Sequence, residues 1–293
     1  LKIRTRRTPA EKETTMPRET FKDKIAIVTG ASSGIGRAMA LRLAGEGARL
    51  VLAARGRERL EETAGECRSR GARALAVPTD VADEAQCRSL VERARAEFGG
   101  VDLLVNNAGF SQVAKLDDLP DLALFEKVMA INFNGTLYCT FHALPALKKS
   151  AGRILNVSSL AGVLPLPYNA SYVASKYAVN GLSDSLRMEL RPAGVSVTVV
   201  CPYWVVSGFH EHYVDRGGVP KGPAGRAMYT KRMMTADSCA AISLRAALRR
   251  RREVLMGPGR FGVWMKLIAP RLYEFITIEV FLKPVARRLS EPF

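Results

Sequence analysis

Tyr172 and Lys176, in Tyr172-Val173-Ala174-Ser175-Lys176, stand one helical turn apart, so on a helix both side chains project from one face. A free phenol ionises only near pH 10 and is a poor proton carrier at neutrality. An ammonium one turn away favours the phenolate and lowers that value. The pair can then hand a proton to a developing alkoxide or take one from an alcohol. Tyrosine and lysine at this spacing also occur on ordinary helices, so the pair gains meaning only from its company. Upstream, Asn156-Val157-Ser158-Ser159 ends an apolar run and offers two hydroxyls, either of which can hydrogen-bond a substrate oxygen and stabilise charge on it.

A second constellation lies near the start. An apolar run leads directly into Thr29-Gly30-Ala31-Ser32-Ser33-Gly34-Ile35-Gly36 and then into a helical pattern, the context a dinucleotide-binding turn requires. Glycines permit the tight turn and close backbone approach, and the helix start offers N–H groups and a positive dipole end to a pyrophosphate. Three residues and then one separate the glycines, a spacing that resembles the TGxxxGxG turn of the short-chain dehydrogenase/reductase family. The second apolar run ends Ala53-Ala54-Arg55, where NAD-binding chains carry an acid for the ribose hydroxyls. A guanidinium there suits a 2′-phosphate, so NADP(H) is the expected cofactor. Arg37 is a second candidate for that phosphate, with a solvated helix residue as its equally weighted alternative.

Asp80-Val81 and Asn106-Asn107-Ala108-Gly109 follow the third and fourth runs. With these, five elements fall in family order between residues 29 and 176. The resemblance covers about residues 21 to 207. It implies a Rossmann-like, doubly wound α/β fold in a single domain and a nicotinamide cofactor. It also implies a catalytic tetrad, which falls on Asn132, Ser159, Tyr172 and Lys176. Family spacing selects Ser159 over Ser158, and Asn132 over Asn134 as the anchor of a water linked to Lys176. By the same resemblance Asp80 and Val81 meet adenine, Asn107, Ala108 and Gly109 support the sheet and the cofactor ribose, and Lys176 serves ribose as well as phenol. Pro202, Val205 and Ser207 follow the sixth run, with Ser207 for the carboxamide or phosphates. One departure stands out: where the family has Pro-Gly, this chain has Pro202-Tyr203. The expected activity is hydride transfer between nicotinamide and a carbonyl or secondary alcohol, with Tyr172 as acid and base. A non-catalytic nucleotide sensor or scaffold is the alternative.

The elements that must hold these residues are legible as alternation. Strand patterns at Ile25 to Thr29, Leu50 to Ala54, Ala74 to Val77, Leu103 to Asn106, Gly152 to Ser158 and Ser196 to Cys201 alternate with helical stretches near 35–46, 57–70, 84–98, 122–149 and 171–191. That succession predicts a parallel sheet covered on both faces. Beyond Val206 a stretch rich in glycine and proline, from Gly217 to Gly225, reads as a substrate-side lid.

The formal charge of +16 resides largely in the ends: residues 1 to 24 carry +4 and residues 245 to 293 carry +7. A basic nucleic-acid-binding face is therefore not expected. Five cysteines without a CxxC pair fit a reducing, cytoplasmic compartment, and His210-Glu211-His212 lacks a third metal ligand. Residues 1 to 20 read as a leader outside the fold, 21 to 257 as the catalytic domain and 258 to 293 as an amphipathic extension. Phe261 to Leu282 is apolar and aromatic, but charges interrupt it too often for a membrane span. Beside the basic run Arg249 to Arg252 it resembles the tails of hydroxysteroid and membrane-associated ketosphinganine-type reductases. Two readings stay open: peripheral membrane contact through residues 249–282 with a lipidic or steroid-like substrate, or a tail that completes the core or a dimer contact around a small soluble carbonyl. A homodimer or homotetramer is expected.

Overall fold

The computed structural model describes residues 20–223 and 233–283. Nearly all of the expected leader, Gly225 and the last ten residues of the extension lie outside the described residues. Six strands fall where the sequence places them: β1 (Ile25–Thr29), β2 (Arg49–Ala54), β3 (Ala74–Pro78), β4 (Leu103–Asn106), β5 (Arg153–Val157) and β6 (Ser196–Cys201). Two short strands, β7 (Val205–Val206) and β8 (Met234–Thr235), pair with each other, and β9 (Glu253–Leu255) joins the main sheet. That sheet runs β3-β2-β1-β4-β5-β6-β9, every pair parallel. The fold is a Rossmann-like doubly wound α/β fold.

Strand residues alternate between two cores. Ala26, Val28, Leu50 and Leu52 pack with Met39 and Leu43 of α1 (Gly34–Gly45), Leu60 of α2 (Arg57–Ser69) and Leu244 of α7 (Ala236–Leu248). Ile27, Val51, Leu104 and Ile154 pack on the other face with Leu90 and Val91 of α3 (Glu84–Phe98) and Ala143 and Leu147 of α5 (Gly135–Ser150). Burial on both faces explains why the strands read as unbroken apolar runs. The order reverses between β1 and β4, so a crevice opens at their carboxyl ends.

Three expectations change. The single helix expected over 122 to 149 is divided into α4 (Ala123–Met129), a π-helical turn over Ala130–Asn134, and α5. The wide turn turns Asn132 into the interior, where it is 1% exposed. The helix near 171–191 is α6 (Ala170–Glu189), followed by a separate tight turn over Arg191–Ala193 where Pro192 has no N–H to continue the ladder. β9 gave no signal in the sequence because three residues after four arginines show no period. It exists because Val199 and Met256 donate to Arg252 and Cys201 across the β6 edge.

The basic run stays exposed at the amino-terminal ends of the strands, where two of its arginines are engaged. Arg250 donates to the carbonyls of Gly194 (2.7 Å) and Ala151 (2.9 Å), and Arg252 pairs with Asp184 (3.2 Å). β9 carries the chain from there to the opposite end, where α8 (Gly259–Ile268) and α9 (Pro270–Ile276) begin. The arginines and the apolar tail therefore occupy opposite ends of the sheet.

Candidate active site

The carboxyl ends of β1 and β4 are tied through one threonine. The hydroxyl of Thr29 donates to Val105 O (3.2 Å) and accepts from the amides of Asn107 (2.9 Å) and Ala108 (3.1 Å), while Asn107 Nδ2 donates to Thr29 O (3.0 Å). This fixes the rim on which Gly30 turns with φ +65° and Gly34 with φ +53°. Gly36 is required for a different reason: a Cβ there would lie 2.3 Å from Gly30 O and 2.4 Å from Asn107 Nδ2. The first turn of α1 contains no acid, and its N-cap Ser33 makes no side-chain cap bond. Its amide groups thus face the crevice with a dipole that favours an anion. The turn fits a dinucleotide pyrophosphate.

A cavity of about 1330 Å³ runs from this turn to the tyrosine. Its wall includes Gly30, Ser32, Ser33, Gly34, Ile35, Arg55, Asp80, Val81, Asn107, Ala108 and Gly109 at one end, and Ser159, Tyr172, Lys176, Pro202, Val205 and Ser207 at the other. Three expected residues stand off the wall. Gly36 lies behind Gly30. Asn132 Oδ1 accepts from the amide of Phe110 (3.0 Å), and its Nδ2 donates to Phe110 O (3.0 Å) and Ser175 Oγ (2.9 Å). Arg37 is held by Glu66 through contacts of 2.5 and 2.6 Å. Its guanidinium thus has a carboxylate partner, whereas Arg55 has none among the described residues. The sequence reading missed Arg59, in the first turn of α2 four residues beyond Arg55 and on the same wall, also without an ion-pair partner among the described residues.

At the reacting end α6 delivers Tyr172 and Lys176 from one face, both buried. Lys176 Nζ donates to Val157 O (2.9 Å) and lies 5.7 Å from the centre of the Tyr172 ring. A Cβ on Gly109 would meet Asn132 Oδ1 at 2.9 Å and Lys176 Nζ at 3.7 Å, so these three are neighbours and the glycine leaves room between them. Ser159 Oγ accepts from the amide of Ala161 (3.1 Å) and stands near enough to the Tyr172 phenol to lower its pKa, while Ser158 turns inward with its hydroxyl 3.4 Å from Lys176 O. The two serines are thus separated by position: Ser159 has its side chain on the Tyr172 side of the strand end and Ser158 on the α6 backbone.

Electrostatics here differ from the simplest expectation. Burial pushes the Tyr172 phenol up to about 12, against the hydrogen bond from Ser159, which lowers it. Burial also holds the Lys176 ammonium down to about 8. Desolvation disfavours the charged form of each group, and in this site it is the largest influence on both. The phenol therefore keeps its proton throughout the neutral range.

The rest of the cavity is apolar and aromatic, and much of it was not foreseen. Tyr168 and Leu164 come from the loop ahead of α6, Phe209 and Tyr213 from the segment after β7, Lys221 from the glycine- and proline-rich stretch, and Met233 from just ahead of β8. Phe209 stacks obliquely on Tyr172 at 5.9 Å. Met265 and Tyr273 close the wall from α8 and α9. Those helices are anchored on the same loop: Lys266 donates to Val163 O (3.1 Å), Tyr273 Oη to Pro165 O (3.0 Å), and Gly259 and Gly262 approach Leu160 and Leu164 too closely for a side chain. The sequence shows that the tail is apolar; only packing shows that one side of it faces the cavity.

Comparison with known proteins bears on this geometry. A family model described as short chain dehydrogenase matches residues 24–216. The chain is 34% identical over 276 residues to 11-beta-hydroxysteroid dehydrogenase A of Sesamum indicum, covering 92% of this chain and 79% of that one. It is 39% identical over 180 residues to 11-beta-hydroxysteroid dehydrogenase-like 3 of Arabidopsis thaliana, covering 61% of this chain and 58% of the relative. A dehydrogenase/reductase SDR family protein 7-like of Dictyostelium discoideum is 30% identical over 270 residues, covering 89% and 83%.

Proposed function

Since the chain belongs to the short-chain dehydrogenase family, we propose that it is an NADP(H)-dependent oxidoreductase acting on a carbonyl or secondary alcohol, with Tyr172 as its general acid and base. The observation that carries this reading is the convergence of a buried phenol, the Ser159 hydroxyl and the Lys176 ammonium on the cavity that begins at the glycine turn. A nicotinamide dinucleotide supplies the hydride donor or acceptor that no side chain provides.

The chain's own part is binding, orientation and proton transfer. The amides of Ser32 to Ile35 would hold the pyrophosphate, Arg55 and Arg59 a 2′-phosphate, and Asp80 and Val81 the adenine end. Asn107, Ala108, Gly109 and Lys176 would hold the ribose next to the reacting carbon, with Pro202, Val205 and Ser207 against the carboxamide. Tyr172 Oη donates its proton to the oxygen on which charge develops, and Ser159 Oγ stabilises that charge. A phenol held near 12 is present as the acid at neutral pH, the form in which it protonates an alkoxide during reduction. Lys176 holds a positive charge beside the phenol and ribose, and Asn132 orients the turn behind it. Joint retention of Asn132, Ser159, Tyr172 and Lys176 argues against the non-catalytic alternative.

The apolar half of the cavity supports a bulky, lipophilic carbonyl substrate over a small polar one, in keeping with the names of the hydroxysteroid dehydrogenase relatives. Outwardly, α8 and α9 expose Trp264, Leu267, Ile268, Leu272 and Phe275, each forgoing about 1.5–3 kcal/mol of burial. On that face we place the contact with a membrane surface or a partner subunit in a homodimer or homotetramer. No helix among the described residues is long and apolar enough to cross a membrane. Five buried free thiols support a reducing, cytoplasmic setting. The deciding experiment is NADPH consumption with a panel of ketones by the parent and by Tyr172→Phe. Turnover of at least one bulky ketone, lost in the variant, is the expected result; equal turnover by both removes Tyr172 from the reaction.

A further inference from the structure

The tyrosine that replaces the family's glycine after Pro202 is held in a fixed place. Leu160 N donates to Pro202 O (3.1 Å), and Met256 N donates to Cys201 O (3.0 Å). Position 203 is thereby clamped between the strand end carrying Ser159 and the segment leading into α8. Gly257 makes room for the new side chain. It has φ +61°, and a Cβ on it would fall 3.0 Å from Tyr203 Cβ, 3.1 Å from Cγ and 3.2 Å from Cδ1. The root of the Tyr203 ring therefore lies against the bare backbone of Gly257, and Trp204 meets it edge-on at 6.3 Å. The bulk gained at 203 and the space left at 257 are complementary.

Tyr203 lines the same cavity as Ser159 and Tyr172 and is 37% exposed. Among the described residues its hydroxyl has no hydrogen-bond partner, unlike Tyr273, whose hydroxyl is taken by Pro165 O. A phenol placed on a binding wall presents an apolar face and a polar tip together. The same cavity wall carries the apolar side chains of Leu160, Pro258 and Phe261. A polar tip with no internal partner in such surroundings suits a ligand that brings its own oxygen.

We propose that Tyr203 is a specificity-determining residue: its ring packs on the carbon skeleton of the substrate and its hydroxyl binds a second oxygen of that skeleton, away from the reacting carbonyl. The substrate class is a rigid apolar carbonyl compound with a second oxygen function, a diketone or hydroxyketone. This rests on the oxidoreductase reading above, and it narrows the substrate beyond that reading.

The test uses the full chain with NADPH and two probes of one skeleton, trans-1-decalone and decalin-1,5-dione. Kinetics are paired with equilibrium binding read by tryptophan fluorescence. The chain has two tryptophans, and a Trp264→Phe background leaves Trp204, beside Tyr203, as the reporter. In that background the dione is expected to bind more tightly than the monoketone. Tyr203→Phe, which keeps the ring on Gly257, should lower the dione-to-monoketone ratio of kcat/KM by about fivefold or more, the scale of one neutral hydrogen bond. The change should appear in KM and in the fluorescence Kd, not in kcat, a split that a merely structural role would not produce. Tyr203→Gly should weaken both probes; Tyr203→Phe carries the test even if that second variant folds poorly. A ratio within twofold of the parent in Tyr203→Phe, or no preference for the dione in the parent, overturns the proposal. Tyr172→Phe keeps the two readings apart: if it turns over normally, the acid–base assignment fails while the binding arm still reads Tyr203.

Discussion

Lys176 should make the protein less stable than it would be with a neutral side chain in its place, and the penalty should depend on pH in one direction. Burial lowers its pKa from 10.5 to about 8, a difference of about 2.5 units, or roughly 3 kcal/mol of disfavoured charge. The sign follows from the depression. Below about pH 8 both folded and unfolded chains carry the proton and the full penalty applies. Between about 8 and 10.5 the folded chain releases it first and the penalty shrinks; above 10.5 it is gone. Lys176→Met removes the charge and keeps the length, but it strands Val157 O, which now accepts at 2.9 Å, at a cost of about 1–3 kcal/mol. At pH 6.5 the balance favours the variant by about 0–2 kcal/mol, a rise in Tm of up to roughly 8 °C for a chain of this size. Thermal and urea unfolding of both proteins at pH 6.5, 8 and 10 measure it. The variant should gain most at pH 6.5, lose its advantage by pH 10, and be deficient in cofactor binding and turnover throughout. A variant less stable than the parent at pH 6.5, or an advantage that grows with pH, refutes the reasoning.

Tyr172→Phe should lower turnover by about 100-fold or more with cofactor affinity nearly intact, measured by stopped-assay kinetics and fluorescence titration of NADPH. Because the phenol is held near 12 and the ammonium near 8, the alkaline fall of the reduction rate in the parent should follow Lys176, near pH 8; a profile flat to pH 10 contradicts that assignment. Arg55→Ala should weaken NADPH by about tenfold or more and leave NADH almost untouched, while Arg37→Ala, which removes only a partner of Glu66, should change neither; equal loss of both coenzymes on Arg55→Ala would dismiss the 2′-phosphate contact. Replacing Trp264 and Leu267 on the outer face of α8 by glutamate should reduce sedimentation with anionic vesicles or alter the oligomer seen by light scattering, with activity on soluble ketones kept; no change in either leaves that face without a partner.

What the sequence determined by itself is the local chemistry and the order of the layers. Glycines at 30, 34 and 36, the alternation of short apolar runs with helical stretches, and a tyrosine one turn before a lysine are patterns of neighbours along the chain. Backbone geometry converts them directly into a turn, a parallel sheet and a shared helix face. Contacts between distant segments had no such local signature. Glu66 is far from Arg37 in sequence, yet it decides which arginine is left for a phosphate. The break that turns Asn132 inward depends on packing against α6 and Phe110, not on helix propensity. The basic run beside the apolar tail looked like one surface, until β9 carried them to opposite ends of the strands. Above all, the pairing of Tyr172 with Lys176 predicted a lowered phenol pKa, and the buried site raised it. Charge proximity can be read from spacing, but desolvation depends on everything that closes over the group, and only the tertiary structure decides that.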